Sequence, residues 1–77
     1  MPTVLLIAGI RFYFFSGDGN EPPHIHVKKN NAIGKIWLSE LTEEYMYGFT
    51  VTERRQVKEI VEEHKAYLIT KWNEHFK

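Results

Sequence analysis

The C-terminal third of the chain predicts an amphipathic helix, and this helix dictates what the remaining residues have to provide. Thr50 and Glu53 have the spacing of a capping box, in which two backbone N–H groups at a helix start are satisfied reciprocally. Apolar side chains and one histidine then recur at helical spacing, namely Val57, Ile60, Val61, His64, Leu68 and Trp72. We expect one helix from about Val51 to the last few residues. Because its apolar side must be covered, the preceding residues have to form a matching apolar surface.

The N-terminal half is rich in the β-branched and aromatic residues that favour strands. Four segments read as strands, at residues 3–7, 10–15, 24–29 and 32–38. Residues 39–50 are ambiguous between helix and strand, and we interpret them as extended. The predicted fold is therefore α+β, as a single domain over residues 1–77. It has an antiparallel sheet of four strands, or five if residues 39–50 add one, with one long C-terminal helix packed on one face.

Composition excludes several classes of protein. The 77 residues include no cysteine, which rules out disulfides and thiolate metal sites and fits a reducing, cytoplasmic location. The longest apolar run, residues 4–10, is too short to span a bilayer, and no basic residue precedes it, so we expect neither a membrane segment nor a signal peptide. The formal net charge is zero, but residues 1–38 carry four basic and only two acidic side chains. Any contact with nucleic acid would therefore use a local patch in the first half.

The pair Asn30-Asn31 predicts a two-residue hairpin turn, and this turn fixes which side chains share a face of the sheet. Ile25 then lies opposite Ile36 on the apolar face, and His24 lies opposite Trp37 on the other. The predicted outer face is basic and aromatic, with Arg11, Tyr13, His24, His26, Lys28, Lys35 and Trp37, and with Val4 and Leu6 at its margin. We expect both histidines to be reachable by solvent on this face, beside at least one of the three cations.

A seven-residue motif, Glu21-Pro22-Pro23-His24-Ile25-His26-Val27, follows the first two predicted strands. It accompanies Met1-Pro2, Gly9-Ile10-Arg11-Phe12, Trp37-Leu38, Gly48-Phe49 and Trp72-Asn73-Glu74. Through these residues the chain resembles a small bacterial family of uncharacterised proteins that is catalogued as a domain of unknown function. The resemblance implies a gene that often stands beside that of a second small protein, in an arrangement similar to toxin–antitoxin operons.

Three interpretations of the histidine pair stay open. In the first, His24 and His26 are the acid and base of an RNA-cleaving site, with Arg11, Lys28 or Lys35 as the cation. In that site Tyr13 and Trp37 would contact the substrate. The second is a metal site, but zinc needs at least three protein ligands, and two prolines hold Glu21 away. The sequence therefore predicts no metal and no cofactor. In the third, the pair is structural, with His24 stacked on Trp37.

Two classes of function follow from these interpretations. The first is the effector of a toxin–antitoxin-like pair that acts on RNA through the outer face. The second is a non-catalytic module that binds or regulates a small partner protein. A chain of this size has a thin core, and it carries surplus apolar side chains at Val4, Leu6, Ile69, Trp72 and Phe76. We therefore expect a homodimer or a complex with a second small protein encoded nearby, and no contact with a membrane.

Overall fold

The computed structural model describes residues 3–76, so Met1-Pro2 of the resemblance lies outside the described residues. Five strands precede two helices: β1 (Thr3–Ile7), β2 (Ile10–Tyr13), β3 (His24–Lys29), β4 (Ala32–Trp37), β5 (Glu43–Tyr47), α1 (Val51–Glu63) and α2 (Lys65–His75). The strands form one antiparallel sheet in the order β1-β2-β3-β4-β5, so β3 is its central strand. The predicted α+β fold is confirmed, and the ambiguous residues 39–50 contribute the fifth strand.

The predicted register of the second hairpin is confirmed. Lys29 pairs with Ala32 around the turn, and His24 pairs with Trp37 at the far end of the two strands. Asn30 has a φ of 55°, a left-handed conformation that asparagine tolerates better than most residues. This register decides which side chains face the helices and which face away from them.

The first hairpin differs from the prediction at Val4. The pairing of β1 with β2 shifts between Thr3 and Leu5, as a β-bulge does. The extra residue turns the Val4 side chain away from the outer face, and it packs against the core instead. The expectation that Val4 lies on the outer face is therefore wrong, whereas Leu6 remains there with 68% of its surface exposed.

The core lies between one face of the sheet and the helices. It joins residues from every element except the two edge strands, with Val57, Ile60, Val61, Leu68 and Trp72 from the predicted helical stripe. Ile69 and Phe76 also pack against it, so most of the surplus apolar side chains are covered within the chain. Among residues 3–76, no helix is long and apolar enough to cross a membrane.

The predicted helix has the expected extent but is interrupted at His64. This residue has φ −104° and ψ 16°, which takes it out of the helical conformation. Its ring Nδ1–H donates to the Ile60 carbonyl oxygen at 2.9 Å, the oxygen that also accepts the His64 backbone N–H at 3.0 Å. The backbone and side chain of His64 therefore share one acceptor at the residue where α1 ends and α2 begins.

Replacing Thr50 with alanine should destabilise the protein by about 1 kcal/mol, because the Thr50 hydroxyl accepts the Glu53 backbone N–H at 3.1 Å and no other group replaces it. Urea denaturation followed by circular dichroism measures the change. Thr52→Ala is the matched control, because Thr52 is an exposed threonine in the first turn of α1. This change should leave the stability of the protein unchanged or slightly raised. Equal losses in both variants would contradict the capping role.

The Glu53 carboxylate should make stability depend on pH in the acidic range. The Thr50 backbone N–H and the Lys29 ammonium hold the pKa of Glu53 below its ordinary value of 4.5. A lowered pKa stabilises the fold at pH values above 4.5, and that contribution is lost as the pH falls through the lowered value. The stability advantage of the wild type over Glu53→Gln should therefore shrink on acidification. An advantage that stays constant down to the lowest pH reached would refute this account.

Candidate functional site

The sheet face opposite the core carries the predicted site residues in cross-strand rows, and α2 reaches one end of this face at His24. We call this face the outer face. One row holds Leu6, Arg11, Lys28, Ile33 and Tyr47, and the next holds Tyr13, His26, Lys35 and Tyr45. The His24–Trp37 pair stands beyond the second row. Because directly paired residues share a face, the prediction that His24 and His26 lie on the same face as Arg11, Lys28 and Lys35 is confirmed.

A loop between β2 and β3 folds back over one end of the outer face. This loop, residues 14–23, is called the acidic loop here because it carries Asp18 and Glu21. The Asp18 carboxylate oxygen Oδ2 lies 3.1 Å from Nε2 of His24 and 3.1 Å from Nε2 of His26. Glu21 contacts the Lys35 ammonium at 2.7 Å. The loop thereby covers His24, His26 and Lys35, and it leaves the first row open.

Local contacts hold the acidic loop in this position. The Phe15 backbone N–H donates to Asp18 Oδ2 at 2.9 Å, and Asp18 opens a short 3-10 turn over Asp18–Asn20. At the other end of the loop, the Pro23 carbonyl oxygen accepts the Leu38 backbone N–H at 3.0 Å. Both ends are therefore hydrogen-bonded, and the two prolines that follow Glu21 stiffen the return to β3.

The two imidazoles are enclosed, which corrects the expectation that solvent reaches them. His24 is 0% exposed and His26 is 6% exposed. The His24 ring lies 5.3 Å from the Trp37 ring and 5.0 Å from the Trp72 ring of α2, and the His26 ring lies 4.6 Å from the Phe15 ring. The contact with Trp37 is edge-to-face rather than stacked. Water is excluded because aromatic rings close the sides of the pair and the acidic loop closes its top.

The hydrogen bonds around the pair are incomplete. His24 Nδ1–H donates to the Pro22 carbonyl oxygen at 3.0 Å, because a carbonyl can only accept. Each Nε2 atom lies close to Asp18, yet the direction of neither ring nitrogen fits a hydrogen bond, and both are buried without a hydrogen-bond partner. Burial lowers the pKa of His26, and the Asp18 carboxylate acts in the opposite direction. Two buried nitrogen atoms thus converge on one carboxylate oxygen without a hydrogen bond to it.

The first row stays accessible, and we call it the open row. Leu6, Ile33 and Tyr47 are exposed over 68%, 40% and 64% of their surfaces, and Arg11 and Lys28 are exposed too. Arg11 and Lys28 are direct cross-strand partners, and within residues 3–76 neither forms an ion pair. Like charges in this arrangement repel each other.

The other predicted substrate-binding residues are engaged within the chain. Lys35 is held by Glu21 and lies 4.5 Å above the Trp37 ring, and the Trp37 indole N–H donates to Glu44 at 3.1 Å. Tyr13 is buried beside His26. Of the predicted contact residues, Arg11 and Lys28 are the two that remain exposed and free of side-chain ion pairs among the described residues.

Sequence reasoning missed Asp18, Tyr45 and Tyr47 as site residues. Asp18 lies between two glycines in a stretch that reads only as a loop, and its role depends on how that loop returns over the sheet. The two tyrosines lie in the ambiguous segment, where alternation of Tyr45, Tyr47 and Phe49 was the one signal of a strand. In the structure the tyrosine rings stack at 5.1 Å at the edge of the outer face.

Comparison with known protein families gives one match. The model of a domain of unknown function, DUF4160, matches residues 9–73, which is most of the chain. No curated protein and no solved structure matches significantly. The match includes the acidic loop, both histidines and four of the five residues of the open row, and it assigns no activity to any of them.

Replacing His24 with alanine should destabilise the protein by about 2–4 kcal/mol, because a fully buried ring packed between two tryptophans leaves a cavity when it is truncated. Thermal and urea denaturation measure the loss. His75→Gln, an exposed histidine on α2, is the control and should change stability by no more than about 0.5 kcal/mol. A His24→Ala protein as stable as the wild type would contradict the enclosed position of the ring.

Proposed function

The chain belongs to the DUF4160 family, and we propose that it binds single-stranded RNA through the open row. The observation that carries the proposal is the Arg11–Lys28 pair, two adjacent exposed cations with no carboxylate partner among residues 3–76. Their mutual repulsion disfavours the free fold, and an anion that spans both relieves it. Phosphate groups of a nucleic acid are anions of this kind, spaced along a chain.

Aromatic side chains beside the two cations support a nucleic acid over a simple anion. Tyr47 ends the open row with 64% of its surface exposed, and its ring stacks on Tyr45 with an angle of 14° between the planes. Bases stack on exposed aromatic rings of a sheet when they are not already stacked within a duplex. A strand of RNA that crosses the open row would place phosphates at Arg11 and Lys28 and a base at Tyr47.

The acidic loop confines the proposed contact to the open row. Asp18 and Glu21 put two carboxylates over the other half of the outer face, where they repel phosphate. The chain as a whole has zero net charge, so long-range attraction is weak and the salt dependence of binding should come from the phosphate contacts at Arg11 and Lys28. The enclosed histidines are not part of this proposal, and their role as acid and base remains a prediction from the sequence.

The family that the chain resembles implies a gene arrangement similar to toxin–antitoxin operons, and this arrangement gives the proposal a biological setting. In that setting the chain acts on RNA in the cytoplasm, and a second small protein encoded nearby binds it and occupies the open row. Leu6 and Ile33 lie on either side of the two cations and offer apolar contacts to such a protein or to a second copy of the chain. This exposure also supports the second candidate, a non-catalytic module whose only ligand is the partner protein.

Removing both cations of the open row should weaken binding to single-stranded RNA and reduce its salt dependence. We expect the slope of log K against log salt to fall by about 0.7 for each cation removed. The measurement is fluorescence anisotropy with a short labelled single-stranded RNA of mixed sequence, for the wild type and for Arg11→Ala/Lys28→Ala. The matched control is Arg55→Ala/Lys58→Ala, which removes the same two residue types from the exposed surface of α1.

Two further outcomes separate the candidates. Tyr47→Ala should cost about 1–3 kcal/mol of RNA affinity if one base stacks on that ring. Leu6→Ser removes the apolar side chain without adding a charge beside Arg11. It should weaken RNA binding far less than the loss of both cations does, and it should strongly weaken binding of the operon neighbour. If RNA does not bind at low salt, or if the α1 control loses as much affinity as the open-row variant, the RNA proposal fails. A Leu6-dependent complex with the neighbour then leaves the protein-binding module standing.

A further inference from the structure

We propose that Asp18, His24 and His26 form a binding site for one divalent transition-metal ion of the zinc class. The site lies under the acidic loop, apart from the open row, and it does not depend on RNA binding. It would fasten the loop to the central strand of the sheet. The proposal rests on the spacing of three donor atoms, on the hydrogen bond that His24 makes through Nδ1, and on the burial of two unpartnered Nε2 atoms.

The three donor atoms have the spacing that a small cation requires. One ligand atom from each of Asp18, His24 and His26 lies within 4.8 Å of the other two, and Asp18 Oδ2 lies 3.1 Å from both Nε2 atoms. Zinc bonds of about 2.0–2.2 Å hold neighbouring ligand atoms about 3.0–3.5 Å apart. An ion therefore fits between the oxygen and the two nitrogens with only small adjustments of the side chains.

The hydrogen bond at Nδ1 of His24 turns its Nε2 atom towards Asp18 as the free ring nitrogen. Its Nδ1–H donates to the Pro22 carbonyl oxygen, which leaves a lone pair on Nε2 in the neutral ring. A lone pair that faces a carboxylate oxygen at 3.1 Å is repelled by it, and a cation between them converts the repulsion into two attractions. Metal-bound histidines usually donate their other ring N–H to a carbonyl or carboxylate in this way.

The missing hydrogen bonds point to an ion rather than to a shared proton. Both Nε2 atoms are buried and unpartnered, although they lie near the same oxygen. Buried polar side-chain atoms of this kind are uncommon in native proteins. A ring N–H that donates to the oxygen is the alternative, but neither Nε2 atom has a hydrogen-bond partner in the described residues. A metal ion accepts all three lone pairs at once, because ligand atoms aim at a point between them rather than at each other.

The scaffold holds the three side chains in place before an ion arrives. His24 and His26 are two residues apart on the same face of β3, which has a paired strand on each side. Asp18 is held by the Phe15 backbone N–H at its ligating oxygen, and its side chain keeps 14% of its surface exposed. Strand β3 supplies the two rigid histidine ligands, and the acidic loop supplies Asp18. Because Asp18 is partly exposed, an ion can reach the site from solvent on that side.

The donor set selects the class of ion. Two imidazoles and one carboxylate suit zinc and its neighbours in the transition series, whereas magnesium and calcium prefer oxygen ligands throughout. Glu21 is not a ligand, because it approaches Nδ1 of His24 rather than Nε2 and is engaged by Lys35. With three protein ligands, a further coordination position remains for water.

Metal titration of the untagged protein tests the site. Calorimetry with Zn²⁺ and visible absorption with Co²⁺ should each show one ion per chain, and Mg²⁺ should not bind. Asp18→Asn keeps an acceptor for the Phe15 N–H but loses the anionic ligand, and it should weaken Zn²⁺ binding by about 100-fold or more, beyond the effect of removing an outer-shell partner. His75→Gln and Glu21→Gln are the controls and should bind as the wild type does.

Hydrogen exchange distinguishes an ion bound under the acidic loop from an ion that binds loosely at the surface. Hydrogen exchange in residues 15–21 should slow on addition of Zn²⁺ in the wild type and in His75→Gln, and it should not change in Asp18→Asn. Circular dichroism establishes that each variant is folded, which keeps the comparison valid because Asp18 is not a core residue. The proposal is overturned if no saturable binding of Zn²⁺ or Co²⁺ occurs, if Asp18→Asn binds as tightly as the wild type, or if His75→Gln loses as much affinity.

Discussion

The contact of the Asp18 carboxylate with His24 and His26 organises the whole outer face. It draws a loop of ten residues back over the sheet and encloses two imidazoles that the strand alternation alone leaves in water. The same loop places Glu21 on Lys35, which takes one of the three cations of the face out of use. One carboxylate contact therefore divides the face into a covered half and an open half with different chemistry.

This division also sorts the charges of a chain whose net charge is zero. Within residues 3–76, Lys35 under the loop pairs with Glu21, whereas Arg11 and Lys28 form no ion pair. A surface that repels itself is tolerated in the free protein only because both side chains reach water. Arg11 and Lys28 lie where exposed apolar and aromatic side chains also collect, and this coincidence is the physical basis for proposing a ligand for the open row.

Sequence patterns predicted the parts of the fold that depend on local rules. The capping box located the start of α1, and the Asn30-Asn31 turn fixed the register that unites the two histidines with the cations. The bulge at Val4 escaped prediction because one extra residue in a strand leaves no mark on composition. The path of the acidic loop escaped it too, since no periodic pattern reports where residues 14–23 return over the sheet. The histidines are buried because the loop takes that path, so the prediction that solvent reaches them was wrong.

The outer face departs from two ordinary rules of folding at neighbouring places. Buried polar atoms usually have hydrogen-bond partners, and neighbouring surface charges usually differ in sign. Under the loop, ring nitrogens are buried without partners, and on the open row two cations face each other without a counter-ion. A sequence selected for stability alone would replace such groups, because apolar residues fill buried positions better and mixed charges suit a surface better. The ring nitrogens under the loop suit a metal ion, and the two exposed cations suit a phosphate group. The two ligands proposed for this face therefore have opposite charges, and the carboxylates of the acidic loop lie between their sites.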